Sequence, residues 1–148
     1  YEISERTESI SEEDKSILRE HTRFLENEFA DLHKFEGLTK QEYIQDNDKR
    51  RNAERWVENL VMSAIDISKI ILASERKEIP QTYRETLFRF AVRFLDEDSA
   101  RRFSHFAGLR NIFSHEYLDI KWEKIAGFIK DASRLYPPFI EKTKKFIS

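Results

Sequence analysis

The chain has 148 residues, a formal net charge of -2, 36% charged and 39% hydrophobic residues, twelve Phe and only three Gly and three Pro. That length and apolar content suit one domain with one core, and the scarcity of breakers among good helix formers points to an all-helical protein. The absence of Cys excludes disulfides, zinc–thiolate sites and a cysteine nucleophile, and the near-neutral balance excludes general nucleic-acid affinity, so any RNA contact must come from local basic patches.

Residues 1–10 are polar and acidic and read as a loose arm, with a single domain expected over 11–148. Ser11-Glu12-Glu13-Asp14 has the form of a helix start. Ile17, Leu18, Phe24, Leu25, Phe29 and Leu32 follow at helical spacing up to Gly37. Thr39-Lys40-Gln41-Glu42 is a second capping box, opening a short piece that runs to Asn47. A long helix is expected from about Asp48 to Ala73. Its apolar residues, Trp56 to Leu72, cover most of the circumference, which predicts burial on more than one side and suggests a dimer interface beside the core. Asn59, Ser63 and Asp66 form its polar stripe. Asp66 has two readings, a satisfied structural carboxylate or the wall of a functional cleft. The richest apolar stretch, Val57 to Ala73, contains Glu58, Asp66 and Lys69, so no membrane span is expected.

Pro80 and Thr82 open a further helix predicted to run through Phe94. Asp96 to Ser99 supply the turn and cap for a helix over roughly 100–114. Asp119 is the predicted cap of a last helix beginning near Ile120, which Pro137-Pro138 is expected to break or kink, with a final short helix over 139–147. The sum is an antiparallel bundle of four to five helices.

The chemistry is concentrated in Arg110-Asn111-Ile112-Phe113-Ser114-His115-Glu116-Tyr117. Arginine is a permanent planar cation that fits phosphate oxygens, and histidine exchanges protons near neutral pH. Together they supply what phosphodiester cleavage needs without a metal. On one continuous α-helix Arg110 and His115 would stand roughly 140° apart. They meet if the helix ends near Ser114 and the chain bends, or if a second subunit brings its own pair. Lys49, Arg50, Arg51 and Arg55 form a basic cluster at the start of the long helix, and Arg101 and Arg102 precede Arg110 on the motif helix. Each group is either a solvated face or a guide for RNA phosphates or an acidic partner. His21, His33 and His105 have no ligand-like spacing, so no metal and no cofactor are assigned.

Arg110 to Tyr117 resembles the R-x4-H-x-Y motif of HEPN-domain proteins, in particular the HepT toxin branch paired with MNT-type nucleotidyltransferase antitoxins. Gly108-Leu109, Asn111, Arg51-Asn52-Ala53-Glu54-Arg55-Trp56 and Ala64-Ile65-Asp66-Ile67 share in the resemblance, which covers the chain from about residue 15 onward. It implies a HEPN-like homodimer and a metal-independent endoribonuclease toxin of a type VII-like toxin–antitoxin pair. In that reading Arg110 and His115 are catalytic, Asn111 and Asp66 support them, and the Tyr117 hydroxyl accepts AMP from the antitoxin. A cytoplasmic location is the expectation. The alternative is a non-catalytic helical module that docks a nucleotidyltransferase and binds nucleotide through the same residues; a purely structural bundle would leave the motif unexplained.

Overall fold

The computed structural model describes residues 10–75, 78–111, 114 and 117–148. Helix α1 (Glu12–Phe29) starts where Ser11 Oγ accepts the Asp14 N–H at 3.0 Å. It stops at Phe29 rather than running to Gly37. The indole Nε1 of Trp56 donates to the Glu28 carbonyl at 2.6 Å, and the Asp31 N–H also turns back onto that oxygen, so the carbonyl is lost to a continuing α ladder. Helix α2 (Leu32–Glu36) follows and ends at Gly37. Thr39 and Glu42 then make the anticipated reciprocal capping box at the head of α3 (Lys40–Gln45).

Helix α4 (Asn47–Ser74) begins at Asp46, whose carboxylate accepts the Asp48 and Lys49 N–H groups. Helices α5 (Tyr83–Ala91) and α6 (Glu97–His105) are capped by Thr82 and Asp96. The Ser99 N–H bound to Asp96 holds that carboxyl below the usual aspartate range. Helix α5 is shorter than the predicted run to Phe94, because from Phe90 onward the backbone tightens into bonds three residues apart, Arg93 to Phe90 and Phe94 to Ala91.

The predicted motif helix is likewise shorter. Helix α6 ends at His105, and the chain winds into a 3-10 segment, Phe106–Asn111. Helix α7 (Leu118–Lys145) has Tyr117, not Asp119, at its N-cap; Asp119 sits in the first turn and pairs with Lys40 on α3 at 3.3 Å. Pro137-Pro138 does not break it. The two missing N–H groups would have served the carbonyls of Ser133 and Arg134, both exposed residues that water can satisfy. Buried Leu135, Tyr136, Phe139 and Ile140 hold the two halves in line. No strand occurs among the described residues, and the fold is an all-α helical bundle.

Helix α4 is the axle. It packs against α1, α3, α5, α7 and the 3-10 segment, which explains an apolar circumference without a second subunit. Aromatic rings fill the space between α6, the 3-10 segment and α7, where Tyr136 meets Phe29, Phe103, Phe106, Phe128 and Phe139. Ile10, read as part of the arm, is buried. Residues 1–9 lie outside the described residues. No helix among the described residues is long and apolar enough to cross a membrane.

Candidate active site

The 3-10 segment sets the direction of Arg110. Its three-residue repeat puts Phe106 and Leu109 one above the other, and both are buried, as is Ala107 between them. Gly108, Arg110 and Asn111 are left toward solvent. The Arg110 guanidinium is fixed from two sides: one N–H donates to the Ala107 carbonyl at 3.0 Å, and Cζ stands 5.0 Å from the Tyr83 ring centre. The Lys69 ammonium, from α4, lies 5.4 Å from the same ring centre. Around them opens a cleft of about 510 Å³ lined by Gln81, Thr82, Tyr83, Arg84, Ala107, Gly108 and Arg110. A Cβ at Gly108 would meet nothing within 4 Å. Arg84 and Arg110 of this lining, and Lys69 against the same ring, have no acidic partner among the described residues.

The α-helix ends at His105 rather than near Ser114, and Arg110 stands on the 3-10 segment that follows it. His115 itself lies outside the described residues, as do Ile112, Phe113 and Glu116. Asn111 is exposed, and its carbonyl accepts both the Ser114 N–H, at 3.1 Å, and the Ser114 hydroxyl, at 3.0 Å. Tyr117 is 83% exposed and its hydroxyl does not cap α7, so the reading in which it packs under that helix does not hold.

The supporting and guiding residues are scattered. Asp66 lines a separate shallow cleft against α1, with Glu20, His21, Phe24, Asn59, Met62 and Ser63. Asn59 donates to Glu28 at 2.9 Å, so part of the polar stripe is structural. Lys49 and Arg55 lie about 30 and 21 Å along α4 from Lys69 at 1.5 Å per residue. Lys49 is paired with Glu42 at 2.6 Å. Arg50 donates to the Tyr43 and Ile44 carbonyls at 3.0 Å each, closing the end of α3. Arg51 and Arg55 are exposed and have no ion pair among the described residues. Arg101 is held by Glu97 at 2.9 Å and lies over Phe88, and Arg102 is shared between Asp98 and Asp131. No three His, Asp or Glu side chains among the described residues are grouped to hold a metal ion.

Two features had no sequence signal strong enough to find them. Tyr83 reads as the first residue of an amphipathic helix, and nothing local ties it to Arg110. The second is a buried triad below the start of α7. Glu54, 6% exposed, accepts the Tyr43 hydroxyl and pairs with Lys121, 8% exposed, at 3.8 Å. Burial first, then the bond to the Glu54 carboxylate, pushes the Tyr43 phenol well above its usual range. Glu54 falls within a segment singled out for resemblance, but its partners lie 11 and 67 residues away. The triad ties α3, α4 and α7 together one turn beyond Tyr117.

Comparison with known proteins fits this architecture. The family described as ribonuclease HepT-like matches residues 5–145. A tRNA nuclease HepT from Aphanizomenon flos-aquae (strain 2012/KM1/D3) is 26% identical over 117 residues, covering 78% of this chain and 80% of that protein. The chain belongs to the HepT-like ribonuclease family.

Proposed function

We propose that this chain is the toxin half of a toxin–antitoxin pair and cuts RNA, with tRNA as the substrate class, at a site built on Arg110 and His115. The carrying observation is Arg110, anchored on Ala107 and Tyr83 in a cleft with no acidic partner for it among the described residues, in a chain of a ribonuclease family. The Arg110 fork takes two oxygens of the scissile phosphate and stabilises their charge as phosphorus becomes pentacoordinate. His115 removes the proton from the ribose 2′-hydroxyl while water protonates the leaving 5′-oxygen, or His115 protonates the leaving 5′-oxygen while water takes the 2′ proton. The 2′-oxygen attacks phosphorus as the bond to the 5′-oxygen breaks, giving a 2′,3′-cyclic phosphate and a 5′-hydroxyl. No metal enters this scheme.

The exposed Tyr117 is the proposed site of control. AMP attached there by a nucleotidyltransferase antitoxin would add bulk and negative charge two residues from His115 and repel RNA. A homodimer is part of the same reading. Ile17 and Phe24 expose apolar surface on one side of α1, and Phe24 shares its cleft with Met62 of α4, giving a patch suited to a two-fold contact. Action in the cytoplasm follows from an RNA target.

The test is cleavage of tRNA and of a mixed RNA pool in EDTA by purified, unmodified protein, beside Arg110→Ala and His115→Ala. Cleavage with cyclic phosphate ends, lost in both variants, is the expected result. Cleavage retained in both removes the assigned site. A folded wild-type chain that binds RNA or nucleotide without cutting makes the chain a binding module instead.

A further inference from the structure

We propose that Lys69, Tyr83 and Arg110 form one subsite for the RNA backbone, in which Tyr83 is a positioning residue that sets the Arg110 guanidinium and Lys69 binds the neighbouring phosphate. This rests on the ribonuclease reading and adds two residues to it. Lys69 comes from the second half of α4, Tyr83 from the first turn of α5 and Arg110 from the 3-10 segment, so three separate elements converge on one ring. The cation distances to the ring centre, 5.4 and 5.0 Å, put the two charges within roughly one Debye length, about 10 Å, of each other. Neither has an acid partner among the described residues, whereas Lys40, Lys49, Arg93, Arg101, Arg102 and Lys144 are each paired with one. Two like charges gathered on one ring repel, and an anion in the cleft relieves that repulsion.

The ring is 36% exposed, so it forms part of the cleft surface as well as a support. Arg110 gives one N–H to Ala107 and holds its Cζ 5.0 Å from the Tyr83 ring centre, which fixes the fork in position while leaving donors for phosphate. The hydroxyl of Tyr83 plays no part in this. Arg84 lines the same cleft, so the positive surface continues past the ring along the path of a strand.

Two measurements on the full chain test the assignment. The first is anisotropy of a labelled single-stranded RNA, 2′-O-methylated throughout so that it cannot be cut, titrated over a range of salt. Lys69→Gln is expected to weaken binding about five-fold and to reduce the slope of log affinity against log salt by about 0.7, the loss of one phosphate contact on a single strand. Lys130→Gln, the same charge change on the exposed side of α7, leaves that slope unchanged. The second is cleavage of the unmethylated RNA. Tyr83→Leu is expected to lower kcat at least ten-fold with little change in KM, and Tyr83→Phe to retain wild-type kcat. A salt slope in Lys69→Gln equal to that of Lys130→Gln overturns the Lys69 role. Wild-type kcat in a folded Tyr83→Leu protein, or loss of kcat in Tyr83→Phe, overturns the positioning role. If wild type cuts RNA and these variants do so equally, only this inference fails; if wild type neither binds nor cuts, the ribonuclease reading fails with it.

Discussion

Replacing Lys121 with methionine isolates the charge of a buried ion pair, because the methionine stem fills most of the same space. Lys121 and Glu54 are 8% and 6% exposed, and in the variant the Glu54 carboxylate stays buried with the Tyr43 hydroxyl but without its cation. Removing one partner of a buried pair costs about 3–5 kcal/mol. The retained phenol bond and the 3.8 Å separation place this case near the lower end, about 3 kcal/mol. A domain of this size has about 5–15 kcal/mol in total, so the variant still folds, with its melting midpoint lowered by about 10 °C. Removing the carboxylate as well, in Glu54→Leu with Lys121→Met, is expected to cost only about 1 kcal/mol, mostly from the orphaned Tyr43 hydroxyl. Glu54→Leu alone orphans the same Tyr43 hydroxyl at about 1 kcal/mol, so urea unfolding followed by circular dichroism on the four proteins of the cycle is expected to give a coupling of about 3 kcal/mol. A cost below about 1 kcal/mol for Lys121→Met, or single costs that simply add, would refute the view that this pair is desolvated and mutually dependent.

Four further predictions concern the tyrosines and the motif. Tyr136→Phe removes a buried hydroxyl with no hydrogen-bond partner among the described residues, so urea unfolding at pH 7 should show a gain of up to about 1 kcal/mol. Burial pushes the phenols of Tyr43 and Tyr136 upward, so above pH ~10 the unfolded chain releases protons that the fold retains. Stability present below that pH should then fall by up to about 1.4 kcal/mol per pH unit for each tyrosine, and Tyr136→Phe should remove its share. Arg110→Lys keeps the charge but loses the planar fork, and is expected to lower cleavage about 10²-fold in a single-turnover assay at an unchanged melting temperature. Tyr117→Phe should keep wild-type stability and cleavage, while mass spectrometry after co-expression with a nucleotidyltransferase finds no adduct.

The helix starts were legible because they are local. Ser11, Thr39, Thr82 and Asp96 each accept an N–H three residues on, a relation that spacing alone reveals. The ends were less so, because tertiary partners decide them: the Trp56 indole stops α1, and buried Tyr136 and Phe139 carry α7 across two prolines. The motif was visible as a motif, but its geometry was not, since the change from α to 3-10 at Phe106 reflects the packing of Phe106 on Phe103 and Phe128. Lys49 and Arg102 looked like guides for phosphate because a sequence shows charge without showing the acids that neutralise it. Tyr83 and the Glu54 triad escaped for the opposite reason, as their partners are remote in sequence and the residues look ordinary in place.

The four tyrosines among the described residues stand in different settings: Tyr43 sealed against a carboxylate, Tyr136 sealed among rings, Tyr83 beneath two cations and Tyr117 in open solvent. A chain grown with fluorotyrosine would therefore carry its own set of fluorine NMR reporters. The Tyr136 and Tyr43 resonances would report the state of the core, Tyr83 the arrival of RNA at the cleft, and Tyr117 the attachment of a group to its oxygen. Binding, modification and unfolding could then be followed in one sample, in real time and without substituting any residue of the site.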